Sequence, residues 1–378
     1  MELTLEALQA NDGDCLLLHY GNALILIDGG SAGVYQNVLK KRLDELRGDG
    51  ALALRMVMVS HIDADHITGI QNLLDELVDE QNAGNELPYR IKTIWHNSFE
   101  KLTGGRKAGV ESAAVAASVD GTPDEEFLAS LPYNVAAVVA SVKQGNAVRN
   151  DAVQLGIPIN AGAGDDLVRA PAAGVRKIQI VPGLTFTILG PHDDELQKLD
   201  ASWKASKEKE ASPEAQAADY LNRTVPNLSS IVVLVEADLG AGKKKRLLLT
   251  GDAGGDRIEE ALEKTGLSSG GKLHVDLLKV QHHGSNHSVD LEFFENITAD
   301  HYVISGNGKH GIPHPDTLGW LSEARRNTKC DVYLTNREGD LGLTKHLDDF
   351  LAEEERAGSK IRYHFREDEA LSIPVSLG

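Results

Sequence analysis

Two cysteines in 378 residues are too few for a disulfide framework or a four-thiolate zinc site, so any metal must be held mainly by histidine and carboxylate. Basic charge is scarce as well. Thirty-eight Lys and Arg stand against 57 Asp and Glu, a net charge of -19, which repels long polyanions on average and leaves only a local patch to receive a short one. No apolar run exceeds the length of a strand, which argues against a membrane-spanning helix. The opening MELTLEALQANDGD lacks a basic region followed by an apolar core, so no secretion signal is read there and a cytoplasmic location is the default expectation. There is no long basic stretch interleaved with aromatics of the kind that tracks a nucleic-acid backbone. The dense basic run KKKR, Lys243 to Arg246, lies at a hairpin, where a solvated turn explains it as well as a nucleic-acid contact does. No repeat of fixed period and no heptad stands out.

What is present is an alternation of short apolar runs with amphipathic spacings, the pattern of a layered α/β domain. CLLLHYGNALILIDGG reads as a hairpin broken at Tyr20 to Asn22. Helical spacing follows from Gly33 to Leu46, then the nearly continuous apolar run LALRMVMVS, expected as a strand buried on both faces. Ile67 to Val78 has helical periodicity, and IKTIWHNS reads as a strand ending in His96 and Asn97. The texture then changes to alanine and glycine. Residues 101–178 are expected as an insertion or lid within a single domain spanning 1–378, with helices near Glu125 to Leu131 and Val135 to Lys143. A polar helix and loop is expected from Leu196 to Tyr220. SSIVVLVEA and KKKRLLLTGD read as a hairpin delivering Asp252, and VDLLKV as a strand delivering QHHGSNHS. A helix is expected to begin near Asp316, and DVYLTN and IRYHF read as the last strands.

Chemistry concentrates at strand ends. SHIDADHITG sets His61, Asp63, Asp65 and His66 within six positions, too close for one helix face, since residues two apart on a helix diverge. On a turn between strand and helix they can point into one cleft. Imidazole and carboxylate suit zinc, manganese or iron, and several carboxylates can hold two cations close together. Further candidate ligands stand at comparable strand ends: His96, Asp252, His282, His283, and also His310 and His314; His96 fits a buried strand-end histidine nearly as well, and His310 and His314 fit hydrogen-bond donors beside the substrate. Loops carried on a rigid scaffold are where such residues belong. The competing explanation is a capped helix start, with Asp65 as the cap.

Four stretches, GDCLLLHYGNALILIDGG, SHIDADHITG, LLLTGD, and LLKVQHHGSNHS followed by YVISGNGKHGIPHP, resemble the metallo-β-lactamase superfamily in order and spacing. Within it they are similar to the soluble hydrolase domain of ComEC/Rec2-type DNA-uptake proteins. The resemblance implies a four-layer αββα sandwich with an inserted region. The superfamily run is histidine, any, histidine, any, aspartate, histidine; here Asp63 replaces its second histidine, as in the DNA-uptake subgroup. The resemblance further implies that His61 and Asp63 serve one metal, Asp65 and His66 a second, that Asp252 bridges them, and that Asp28 supports the loop from behind. Asn227, Ser229 and Ser230 are similar to a segment that lines the substrate or caps a strand. His282 and His283 match a double-histidine, glycine, serine motif in which consecutive residues point differently.

Two divalent ions, zinc or manganese, would ionise water and neutralise substrate oxygens. Asp252 would orient and bridge them, with Asp65 in the second site, His283 or His310 would serve as proton donor, His314 would stand beside the substrate, and Lys279 would either help a polyanion bind or face a helix instead. The resemblance favours phosphodiester cleavage in a nucleotide or short nucleic acid. The alternatives are a hydrolase of a small ester, lactone, amide or thioester, and a noncatalytic binding or assembly protein. His287 is expected to face solvent. Protein partners and oligomeric state are not legible.

Overall fold

A computed structural model describes residues 1–98, 133–164, 167–196 and 226–378. Elements are numbered within those residues. The hairpin at the start is formed by β2 (Leu16–Tyr20) and β3 (Ala23–Ile27), preceded by β1 (Leu3–Leu8). A π-helical turn, Tyr35–Leu39, leads into α1 (Lys40–Arg47). The run LALRMVMVS is two strands, β4 (Leu52–Leu54) and β5 (Met56–Met58). Arg55 divides them because its guanidinium reaches the Ile180 carbonyl across the molecule, at 2.8 Å. After α2 (Ala64–Asn82) come β6 (Tyr89–Ile91) and β7 (Ile94–Trp95), again two strands in place of one. α3 (Tyr133–Gln154), β8 (Arg176–Val181) and β9 (Leu184–Gly190) follow. Of the 101–178 region, residues 101–132, with the helix anticipated near Glu125, lie outside the described residues, as does most of the polar segment Leu196 to Tyr220.

The second half contains β10 (Val232–Gly240), β11 (Lys243–Leu249), α4 (Gly255–Lys264), β12 (Leu273–Lys279), α5 (Leu291–Asn296) and β13 (Ile297–Ile304). It ends with α6 (Pro315–Arg325), β14 (Cys330–Leu334), α7 (Leu343–Arg356), β15 (Ile361–Phe365) and β16 (Ser372–Ser376).

Two sheets result, ordered β16-β1-β2-β3-β5-β7 and β15-β14-β13-β12-β11-β10-β9-β8, with β4 and β6 paired separately. Alternation along the strands decides what faces what. Leu5, Leu18, Ile25 and Trp95 meet Phe186, Val233 and Leu247 between the sheets. Leu17, Leu26 and Val57, on the opposite face of the first sheet, pack against Leu43, Ile70, Leu74 and Val148 of α1, α2 and α3. On the outer face of the second sheet, Leu248, Val275 and Tyr302 take Ile258, Phe293, Leu318 and Leu347 from α4 to α7. The layers therefore run helix, sheet, sheet, helix. Among the described residues no helix is long and apolar enough to cross a membrane.

For function, strand direction matters most. β3, β5 and β7 run parallel in the first sheet, and β11 to β15 run parallel in the second. The chain leaves such strands at their carboxyl ends, where open α/β sheets place their ligands.

Candidate metal centre

Each strand end delivers a short loop. β3 ends at Asp28, held at φ 57°. Its carboxylate accepts from the Ser60 backbone N–H at 2.7 Å and from the Ser60 hydroxyl at 2.7 Å, and lies 2.9 Å from His66 Nδ1. The loop after β5 carries His61 to His66 into α2, whose apolar face of Ile67, Ile70, Leu73, Leu74 and Leu77 fixes the helix on the sheet. The cap position is Asp63, and its side chain accepts no capping hydrogen bond. A plain capping role for the cluster is thereby removed. Close backbone approach seats the helix start: a Cβ on Gly69 would stand 1.9 Å from the Gly29 carbonyl oxygen.

The turn after β11 carries Asp252, whose backbone N–H donates to Ser230 Oγ at 3.3 Å. The turn after β12 holds His282 and His283 in left-handed backbone, at φ 49° and 53°. Such backbone in non-glycine residues costs roughly 1–2 kcal/mol each and persists only where surroundings impose it. Here it turns the two rings to opposite sides of Asp252.

Seven side chains meet at this rim in two groups. In the first, His61 Nε2 lies 3.5 Å from Asp63 Oδ2 and 3.7 Å from Asp252 Oδ2, and His282 Nε2 lies 3.7 Å from that same oxygen. In the second, His66 Nε2 lies 3.2 Å from His283 Nε2, 3.7 Å from Asp65 Oδ2 and 3.3 Å from Asp252 Oδ1. His283 Nε2 is also 3.3 Å from Asp65 Oδ2 and 3.6 Å from Asp252 Oδ1. Asp252 thus turns one oxygen toward each group.

The spacings test whether a metal fits. A tetrahedral ion with bonds of about 2.1 Å separates its ligands by about 3.4 Å, the middle of the observed range. His61 Nε2 and Asp252 Oδ1 are buried without a well-formed hydrogen bond among the described residues, which a cation would answer. Charge agrees. Burial alone would lower the basicity of His66 and His283, but the carboxylates of Asp252 and its neighbours hold His66 well above the ordinary histidine value and push His283 up to about 10. Asp252, although burial opposes it, is held well below the carboxylate range by the surrounding histidines. The pocket has the potential of a cation site, with protons filling the role when no ion is bound.

Sequence reading missed Asp14. One ligand atom each from Asp14, His66, Asp252 and His283 lie within 4.8 Å of one another, yet the geometry sets Asp14 behind the cluster. Its Oδ1 faces His283 Nδ1 at 3.3 Å, the nitrogen turned away from the other ligands. The Asp14 loop lies so close to α2 that a Cβ on Gly13 would stand 1.8 Å from the Asp65 carbonyl oxygen.

Other expected residues have different surroundings. His96 is buried and its Nε2 lies 2.9 Å from the Gly145 carbonyl of α3. Burial holds it down to about 4, so it is a neutral donor to that carbonyl, and it stands outside the two groups, on edge strand β7 next to β5. Lys279 is buried at the end of β12. It is 1 % exposed, 2.7 Å from Asp14. His314 caps α6, its Nδ1 accepting from the Asp316 N–H at 3.2 Å. His310 is exposed on a left-handed turn, outside the two groups. His287 is exposed. Asn227 Nδ2 lies 3.4 Å from His282 Nδ1, and Ser288 Oγ, another residue missed from sequence, is 2.8 Å from it. Ser229 is buried.

Residues 9–140 match the family described as the metallo-beta-lactamase superfamily, a part of the chain that carries β2, β3, β5 and β7 of the first sheet and the ligand loop after β5. The fold is that of the metallo-β-lactamases. Its cluster of histidine and aspartate could hold a metal ion. A stretch of 133 residues is 32% identical to human microtubule-associated protein 1A, covering 34% of this chain and 4% of that protein, so the chain spans only a small fraction of that relative's length. Among solved structures, the metallo-β-lactamase fold protein YhfI of Bacillus subtilis is 11% identical, with 100% of both chains covered and a TM-score of 0.41. A metallo-β-lactamase with a HARLDQ motif from Cronobacter sakazakii is 12% identical over 93% of this chain and 90% of its own, with a TM-score of 0.31. At those scores the likenesses carry no functional weight.

Proposed function

We propose that this chain hydrolyses a compact ester, lactone, amide or thioester. The observation that carries the substrate class is the disposition of cations around the rim. Lys279 is buried against Asp14, and Lys309 is paired with Asp12. The KKKR run occupies the first four residues of β11, whereas Asp252 follows its other end; at about 3.3 Å per residue Lys243 lies some 20 Å from that end and Arg246 some 10 Å, with Lys245 held by Asp276 and Arg246 by the His274 carbonyl. The supports expected for a polyanionic substrate are therefore spent or distant.

Divalent ions bound here supply Lewis acidity and lower the pKa of water. His61, Asp63, Asp252 and His282 would hold one, and Asp65, His66, Asp252 and His283 the other. Asp28, through His66 Nδ1, and Asp14, through His283 Nδ1, keep each ring's Nε2 aimed inward. Asp63 and Asp65, with side chains 32% and 28% exposed, stand at the mouth and orient the water and the arriving substrate. Burial opposes its ionisation, but His66 and His283 hold Asp65 down to about 2, so it stays ionised at neutral pH. His61 and His66 form the buried floor.

A second reading, cleavage of a small phosphodiester, is favoured by Asp252 offering one oxygen to each group and by the resemblance to DNA-uptake hydrolase domains. Zinc- or manganese-loaded protein should be assayed against nitrophenyl esters, lactones and thioesters beside bis-nitrophenyl phosphate, single-stranded DNA and RNA. Turnover confined to the carbonyl substrates is the expected result; turnover confined to phosphodiesters reverses the order.

A further inference from the structure

We infer that Lys279 and Asp14 form a buried positioning pair that governs how tightly the second ligand group, Asp65, His66, Asp252 and His283, holds its ion, while leaving the first group alone. The inference rests on the two-group reading of the site.

The two histidines of the second group are backed differently. Behind His66 stands Asp28, whose other contacts are the neutral N–H and hydroxyl of Ser60 at 2.7 Å each. Apart from His66 itself, those contacts bring no cation to Asp28. Behind His283 stands Asp14, whose Oδ2 is 2.7 Å from the Lys279 ammonium and whose Oδ1 accepts from the Ser305 hydroxyl. Both members of that ion pair are at most 1 % exposed. The Lys279 ammonium also donates to the Val280 carbonyl at 3.1 Å, and Lys279 is the last residue of β12. One strand end thus carries a fixed cation, and four residues later in the same chain, the imidazole that this cation steadies through Asp14.

A buried ion pair of this kind gives little net stability, because desolvation offsets the attraction. It fixes orientation well. A carboxylate on the rear nitrogen of a ligating imidazole sets its ring angle and donor strength, and losing such a partner typically weakens metal binding about 10–100-fold. The rings of the first group lack this support: the His61 rear nitrogen meets Ser60 Oγ at 3.1 Å and that of His282 meets Ser288 Oγ at 2.8 Å. Changing the Lys279–Asp14 pair should therefore act on one group selectively.

The test is the double variant Lys279→Met with Asp14→Asn, which removes both charges together, preserves volume, and leaves an amide oxygen facing His283. Metal-free protein is titrated with Zn²⁺ and separately with Mn²⁺ by calorimetry, with elemental analysis after gel filtration and circular dichroism as the check on folding. The wild-type chain should take two ions. The variant should keep one affinity within about twofold and lose about 10–100-fold in the other. Two unchanged affinities would show a mere core ion pair, and equal losses in both would show a general structural effect; either result overturns the inference. A wild-type chain that takes fewer than two ions overturns the two-group reading and the inference with it. Should the double variant fail to fold, Ser305→Ala keeps the buried charges and removes one donor to the Asp14 oxygen that faces His283. A selective weakening of one affinity by a factor of a few is then expected, and no change or an equal change in both sinks the idea.

Discussion

At the scale of single residues, Asp252 has no substitute among the described residues, because its two oxygens serve both groups and no other described carboxylate touches both. Asp252→Ala should reduce turnover by about three orders of magnitude, the equivalent of roughly 4 kcal/mol of lost transition-state stabilisation. It should lower bound metal below one ion per chain while the circular dichroism spectrum stays native. Gly13→Ala acts by shape alone. Its Cβ would stand 1.8 Å from the Asp65 carbonyl oxygen, so backbone must shift, at about 1–3 kcal/mol, and Asp65 must move with it. A urea melt and a metal titration should both register the change. The ligands themselves show why the site is only partly legible in sequence. His61, Asp63, Asp65 and His66 announce themselves by crowding into one run. Asp14 stands alone in a GDC triplet, and the partners that explain it are remote, Ser305 lying 291 positions away. His96 had the right local setting, a histidine at a strand end, but strand order in the sheet decides whether such a residue reaches the cleft, and strand order is not written locally.

At the scale of elements, α3 is clasped to α2 beside the site. Gln144 donates to Thr68 at 2.9 Å and Gln154 to Asn82 at 3.1 Å. Between these contacts Asp151 faces Asp75. Burial, then the charge of Asp75, pushes Asp151 up to about 6, and Asp75 is raised by burial with a smaller push from Asp79. Folding thus favours the protonated pair. That contribution is complete below the unfolded carboxyl value of about 3.9 and fades as pH rises through about 6. Asp151→Asn should therefore raise the melting temperature at pH 8 and do nothing at pH 4. Since the pair is partly exposed, the gain is screened to less than about 1 kcal/mol. Thermal melts of both proteins across that range check the sign. The split of LALRMVMVS into β4 and β5 belongs to this scale too. Apolar periodicity marks the run as extended, but the guanidinium of Arg55 seeks a carbonyl in the other sheet, and no sequence pattern forecasts that.

For the molecule as a whole, both sheets contribute to the centre, so ligand binding and folding are coupled. At free metal about 100 times the dissociation constant, each ion should add about 2.7 kcal/mol. A chain of this size gains several degrees in melting temperature from that, and the rise should saturate at two ions per chain in differential scanning calorimetry and vanish with chelator. A second molecular feature is the Glu6 junction, where β1, β2, α1 and the β16 strand meet. Burial opposes ionisation of Glu6, but His19, Arg42 and Ser372 hold it down to about 2, with Arg42 Nε at 2.6 Å. A depressed carboxyl stabilises the fold above its unfolded value of about 4.3 and loses that contribution as pH falls toward 2. Glu6→Gln should cost on the order of 2 kcal/mol at pH 7 after solvent screening, and almost nothing near pH 2. Denaturant melts at both values would show it.

Four of the seven clustered side chains, His61, Asp63, Asp65 and His66, come from one half of the chain, and three, Asp252, His282 and His283, from the other. A ribosome making this protein must therefore release the QHHG turn before either pocket can close, and every earlier fragment carries half a chelate. Maturation with metal is then a late event, one that an arrested nascent chain would fail to complete.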